Sequence, residues 1–173
     1  NQAVLDAQQA RGATMKSTVA ALALDTAGER AAWVHVGDSR LYYLTSGHIY
    51  HATRDHSVTY KKYLSGEISR EEINFDEDRS SLLRAVGKVS GCVPEWGEPP
   101  GGGVISPGDA FLLCSDGFWE YLYDEEILID FLKAETPRRW AELMLLRVLP
   151  RMRPESDNLT LLTVFLRETE EEV

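Results

Sequence analysis

Three short acidic motifs constrain this chain more than any other feature: Gly37-Asp38-Ser39-Arg40, Ser115-Asp116-Gly117 and Asp157-Asn158. Each adjoins a run that reads as a β-strand, so each carboxylate is expected at a strand end or turn. Carboxylates delivered to one place from separate strands build an oxygen-rich site for a hard divalent cation such as Mg²⁺ or Mn²⁺. Taken singly, each motif has a plainer reading. Asp116 can end a strand in an Asp-Gly turn, Asp38 can sit in a Gly-Asp turn, and Asp157 can make an Asx-turn. Their joint occurrence carries the weight.

The rest of the chain supplies the strands. Residues 4–10 are helix-like, and residues 17–24 and 31–36 read as a hairpin about the turn at 25–29. Residues 40–44 and 48–52 form a second hairpin around Ser46-Gly47, which puts Asp38 at the link between the two. Ser57 can cap a helix that runs to Leu64 and breaks at Gly66, and Ser69 with Glu72 makes a capping box for another. The stretch 57–79 thus reads as an excursion from the sheet, either a lid or flap or an ordinary solvated connection. Residues 94–103, with three prolines and four glycines, read as loop. Ala110-Phe111-Leu112-Leu113-Cys114 is a continuous apolar strand that stops on the Asp116 motif. Two helices follow, one from an Asp124 N-cap to Lys133 and one begun by Thr136-Pro137 and running to Leu149. Trp140, Leu143, Met144 and Val148 stripe the second helix as core packing, and residues 159–166 are the last strand. The pattern is α+β, antiparallel sheet with helices on its face, in a single domain spanning 1–173.

An excess of 28 acidic over 18 basic residues argues against a nucleic-acid partner. It fits a solvated acidic surface, and Glu168, Glu170, Glu171 and Glu172 add an acidic, frayed end. Cys92 and Cys114 offer neither metal-binding spacing nor a disulfide framework. Cys114 reads as a core residue and the compartment as a reducing cytoplasm. No signal peptide or bilayer-length apolar stretch suggests a membrane partner. The opening, Asn1 to Arg11, reads as the last turns of a helix already under way, so the chain looks like a fragment. Gly37-Asp38-Ser39 also opens one class of serine esterases, but those need a histidine base near the C-terminus. The four histidines, His35, His48, His51 and His56, all lie in the first half, which sets Ser39 aside as a nucleophile.

With these motifs in place the chain resembles the metal-dependent protein phosphatase family, type 2C or PPM. The matching text is Val34-His35-Val36-Gly37-Asp38-Ser39-Arg40, Thr53-Arg54-Asp55-His56-Ser57 and Leu82-Leu83-Arg84-Ala85-Val86-Gly87. It continues through Pro107-Gly108-Asp109, Phe111-Leu112-Leu113-Cys114-Ser115-Asp116-Gly117 and Ser156-Asp157-Asn158-Leu159-Thr160. The resemblance implies an antiparallel β-sandwich flanked by helices, with two or three Mg²⁺ or Mn²⁺ ions in the complete site. It implies hydrolysis of phosphoserine and phosphothreonine in a phosphoprotein substrate by a metal-activated water, opposing a Ser/Thr kinase. Carried over by position, Asp116 and Asp157 are the catalytic residues. Asp116 ligates the binuclear centre, Asp157 completes one of its sites, and Asp38 joins Asp116 in a third, weaker site. Residues 57–79 become a flap subdomain that shapes substrate access. The wording sits closer to the bacterial Ser/Thr phosphatases that counter membrane kinases than to those acting on anti-anti-sigma factors.

One departure stands at the front. The family's Asp-Gly-x-Gly-Gly segment, with its bridging Asp, is absent, and the only aspartates before Asp38 are Asp6 and Asp25. The chain therefore reads as a domain lacking its N-terminal strands and catalytically incomplete. The alternative is a pseudophosphatase-like binding module that recognises phosphoproteins or a partner. A third reading is an assembly in which another chain supplies the missing strands and covers the sheet edge.

Overall fold

The computed structural model describes residues 1–70 and 72–168; the acidic end at Glu170, Glu171 and Glu172 lies outside the described residues. Two antiparallel sheets form the frame. One, in the order β1-β2-β5, contains β1 (Val19–Asp25), β2 (Arg30–Val36) and β5 (Glu95–Gly97). The other, β4-β3-β6-β7, contains β3 (Arg40–Thr45), β4 (His48–Ala52), β6 (Ala110–Cys114) and β7 (Leu161–Phe165). Both expected hairpins form, but they fall in different sheets. The chain crosses from one sheet to the other between Val36 and Arg40, and Asp38 sits on that crossing.

Side-chain alternation explains the layering. Ala31 and Trp33 of β2 point inward and meet Leu41, Tyr43 and Phe111 of the second sheet together with Ile105. The opposite face of that second sheet carries Tyr42, Leu44, Ala110, Leu112 and Cys114, packed beneath helices. A strand buried on both faces has no polar positions to alternate with, which accounts for the unbroken apolar run 110–114.

The helical layer follows the sequence closely. α1 (Gln2–Arg11) precedes the first sheet and buries none of its residues. α2 (Val58–Ser65) starts on Ser57, whose hydroxyl accepts from the Tyr60 N–H at 3.1 Å, and stops at a left-handed Gly66. A tight glycine turn, α3 (Pro100–Gly103), with positive φ at Gly101, Gly102 and Gly103, and one turn of helix, α4 (Asp116–Trp119), lead to α5 (Asp124–Lys133) and α6 (Pro137–Val148). Thr136 caps α6 through the Arg139 N–H at 3.1 Å. Ile127, Trp140, Met144 and Val148 are fully buried against the second sheet, and the Trp140 indole donates to the Ile127 carbonyl at 3.1 Å. Among the described residues, no helix is long and apolar enough to cross a membrane.

Four local readings need correction. Residues 94–103 are not all loop, because β5 pairs with β2 there; three residues among prolines and glycines are too few to show a strand period. The N-cap of α5 is Tyr123, one residue before Asp124, and the Glu126 carboxylate accepts from its N–H at 3.2 Å. The Glu72 carboxylate does accept from the Ser69 N–H at 2.7 Å, yet only a 3₁₀ turn, Ile73–Phe75, follows it. The first strand begins at Val19, and Ser17 instead makes an isolated bridge to Val86.

Trp140→Ala removes both the largest fully buried side chain of the helical layer and a buried hydrogen bond. It is expected to cost about 3–5 kcal/mol, read as a lower urea midpoint with an unchanged slope.

Candidate functional site

Asp38 is presented by a turn that only glycine permits. Gly37 has a φ of 108°, and a Cβ there would collide with the Thr18 side chain. His56 holds this turn from both sides: its N–H donates to the Gly37 carbonyl at 2.9 Å, and the Gly37 N–H donates to its Nδ1 at 3.2 Å. The Trp119 indole N–H donates to the Asp38 carbonyl at 2.8 Å. Arg40 lies 3.4 Å above the Trp119 ring and makes a two-pronged pair with Asp55 at 2.8 and 2.6 Å, both partners being buried. Ser39, set aside as a nucleophile, spends its hydroxyl on Thr18 Oγ1 at 2.8 Å.

Asp116 and Asp157 are brought together by the pairing of β6 with β7. Ser115 and Thr160 join the strand ends, the Ser115 N–H donating to the Thr160 carbonyl and the Thr160 N–H to the Ser115 hydroxyl, both at 3.0 Å. A Cβ on Gly117 would stand 2.6 Å from the Asn158 carbonyl, so glycine lets α4 touch the 157–158 loop. Each carboxylate is steered locally: Asp116 Oδ1 accepts from the Gly117 N–H at 2.9 Å, and Asp157 Oδ1 from the Asn158 N–H at 2.8 Å.

The result is a cleft of about 680 Å³ whose walls include Asp116, Glu120, Asp157, Arg79, Arg153 and Phe75. Asp38 sits behind the wall and is 9 % exposed. Burial pushes its carboxyl up to about 6, with the charges of Asp116 and Asp55 adding to the shift. Glu120 was not singled out from sequence. It follows Asp116 by four residues, the spacing that puts two side chains on one helical face. Burial, then the charge of Asp116, raises its carboxyl to about 7. Among the described residues, no three of these four carboxylates bring ligand atoms within 4.8 Å of one another. They could share ions in pairs rather than cage a single ion.

From the stretch expected as a flap, Arg70, Ile73, Phe75 and Arg79 line the cleft. Lys62 ties the segment to itself through Asp76 at 3.0 Å and Asp78 at 2.9 Å, Ile73 is buried in the helical-side core, and Arg70 reaches Asp124 at 3.0 Å. The exposed Phe75 ring lies 5.4 Å from the Arg153 guanidinium of the Asp157 loop. The charge of Arg79 acts on the Glu120 carboxyl, opposing the effect of its burial. Asp25, at the far end of β1, pairs with Arg30 rather than Val36, and Asp6 accepts from Gln2 on the exposed α1. Neither approaches the cleft.

No protein-family model matches the chain. A protein of Streptococcus pyogenes named as protein phosphatase 2C-type is 31% identical over 129 residues, 74% of this chain and 50% of that protein. The crystal structure of the serine/threonine phosphatase PstP/Ppp of Mycobacterium tuberculosis has a TM-score of 0.70 at 28% identity, covering 96% of this chain and 67% of that one. A PstP catalytic domain in complex with two manganese ions shares the fold, with a TM-score of 0.74 at 24% identity over 95% of this chain and 66% of that one. The chain spans half the length of the streptococcal relative. Two antiparallel sheets, the second packed beneath helices, acidic motifs gathered at their strand ends and this set of relatives agree: the chain belongs to the bacterial PPM family, the type 2C protein phosphatases.

Proposed function

We propose that this chain carries the carboxylate half of a metal-dependent protein phosphatase site, acting in the cytoplasm on phosphoserine and phosphothreonine of protein substrates. The observation that carries the reading is the mutual strain of the acidic cleft. Asp38 and Glu120 are both held above the ordinary carboxylate range by burial and by Asp116. Arg40 and Arg79 offset only part of this cost, and like charges kept this close are relieved by a bound metal. Oxygen donors of this kind fit Mg²⁺ or Mn²⁺.

In this reading Asp116 and Asp157 hold the ions nearest the substrate, and Asp38 with Asp116 holds a further one, with Glu120 beside them. Bound there, the metal supplies an activated water and neutralises charge on the phosphoryl oxygens. The chain's own contribution is position. Trp119 and Arg40 fix the Asp38 backbone, and Gly117 brings the Asp116 and Asp157 loops together. Arg79 and Arg153, on the cleft wall, offer positive charge to an incoming phosphoryl group. Residues 57–79 act as a flap, with Phe75 and Arg153 narrowing the opening over the substrate chain. An opposing Ser/Thr kinase would supply that substrate.

A second reading is a module that binds phosphoproteins without turnover. Phosphate release from a phosphothreonine peptide, with and without Mn²⁺ and beside Asp116→Asn, separates the two. Mn²⁺-dependent release that falls by about a hundredfold or more in the variant supports the phosphatase. Metal and peptide binding with no release supports the binding module. A folded chain that binds neither Mn²⁺ nor the peptide overturns both.

The raised Asp38 carboxyl makes a separate prediction with a fixed sign. Because its folded value, about 6, lies above the unfolded value of 3.8, the folded state is penalised at neutral pH. The penalty fades as the pH falls through 6 and is gone below 3.8. Asp38→Asn should therefore raise the melting temperature of metal-free protein at pH 7.5, by about 2–4 °C for each kcal/mol relieved. The gain should shrink towards pH 4, and the variant should lose part of the thermal shift that Mn²⁺ gives the wild type.

A further inference from the structure

The buried Arg40–Asp55 pair has one member on each of two surfaces. Arg40 lines the acidic cleft, and Asp55 lines a second, shallower groove of about 190 Å³. One wall of that groove is α2. Helical spacing divides its side chains: Thr59, Lys62 and Tyr63 turn to Asp76 and the helical-side core, whereas Tyr60, Lys61 and Leu64 line the groove. The facing wall is the stretch 82–84. Its Leu83 N–H donates to the His56 carbonyl at 2.7 Å, Leu82 bridges to Ser57, and Lys88 Nζ donates to the Leu82 carbonyl at 2.7 Å. Both walls are held by hydrogen bonds before anything binds, so little ordering remains to be done on binding.

The lining combines apolar surface with positive charge. Leu64 is 60 % exposed and Leu83 45 %. One exposed leucine needs no explanation, but these two share a groove with three cations. Arg54 and Lys61 are exposed, and among the described residues neither has a carboxylate within ion-pair distance. Arg84 stands 3.2 Å from His56 Nε2 and 3.7 Å from Glu95, with much of its side chain in solvent. Asp55, the carboxylate among the described lining residues, is spent on Arg40 at 2.8 and 2.6 Å. In a chain with 28 acidic against 18 basic residues, the charge is locally reversed here.

We propose that this groove docks an acidic segment of the protein substrate, one that carries a leucine-type side chain and lies apart from the phosphorylated residue. The proposal rests on the phosphatase reading of the cleft. The apolar side chain covers Leu64 and Leu83, and its acidic neighbours meet Arg54, Lys61 and Arg84. A longer polyanion, such as a nucleic-acid backbone or an anionic membrane, would run past these three cations into the acid excess around them. The segment 57–79 serves both surfaces, since α2 walls the groove while Arg70, Ile73, Phe75 and Arg79 line the cleft. A substrate held at the groove is thereby concentrated at the cleft.

The probe is a fluorescein-labelled, unphosphorylated acidic peptide with one central leucine, followed by anisotropy on the whole chain in EDTA. Omitting metal and phosphate takes the acidic cleft out of the measurement, so failure here leaves the reading of that cleft intact. Wild type should bind, with affinity falling as NaCl rises from about 50 to about 300 mM. Arg54→Glu and Lys61→Glu should each weaken binding by about fivefold or more. Leu83→Ser, or serine in place of the peptide's leucine, should weaken it by about fivefold. All three positions are exposed, so the variants keep the fold. Arg153→Gln, on the cleft wall, should bind as wild type does. No binding by wild type, or affinity unchanged in Arg54→Glu and Lys61→Glu, would overturn the proposal. So would indifference to the peptide's leucine, which marks a small-anion site only. Loss of binding in Arg153→Gln also overturns it, by placing the peptide at the cleft.

Discussion

Arg40 is the buried charge around which the site is organised. A guanidinium removed from water is costly unless its donors are met. Here Asp55 takes two of them, the Tyr42 hydroxyl takes another at 3.2 Å, and the Trp119 ring covers the face. Those partners come from the β4–α2 connection, from β3 and from α4. Satisfying one side chain thus fixes three segments relative to one another. Asp38 lies two residues before Arg40, its carbonyl bound by the same Trp119, so it inherits this rigidity.

The acidic cleft runs the opposite way in energy. Its carboxylates are crowded and partly buried, and the charges of Arg40 and Arg79 offset only part of that cost. A protein selected for stability alone would not hold Asp38 and Glu120 above their ordinary range. Strained electrostatics supported by a rigid frame mark functional sites. The two halves of the arrangement depend on each other, since a looser Arg40 cluster would let the carboxylates relax apart.

Much of this was legible in the chain because the relevant signals are local. The apolar run 110–114, the Thr136-Pro137 start and the Ser57 and Gly66 boundaries each act through adjacent residues, and each stands where expected. The acidic motifs were found for the same reason, as strand ends followed by turns. What escaped depends on pairing across the chain. β5 is too short to show a period, and without it the opposition of His35 and Glu95 is invisible. Glu120 needed the helical turn after Asp116 to be recognised. The Ser69 capping signal is half satisfied, yet the tertiary pull of Ile73 into the core leaves room only for a 3₁₀ turn. The division of the two hairpins between two sheets is likewise a matter of packing, which no local pattern records.

The central claim is that the acidic cleft is a metal site built by Asp38, Asp116 and Asp157. Calorimetric titration of the folded chain with Mn²⁺ tests it most directly, run beside Asp38→Asn, Asp116→Asn and Asp157→Asn. Saturable binding that weakens in all three, and most in Asp116→Asn because that residue serves both pairs, is the predicted result. Mn²⁺ affinity unchanged in Asp116→Asn would contradict the account.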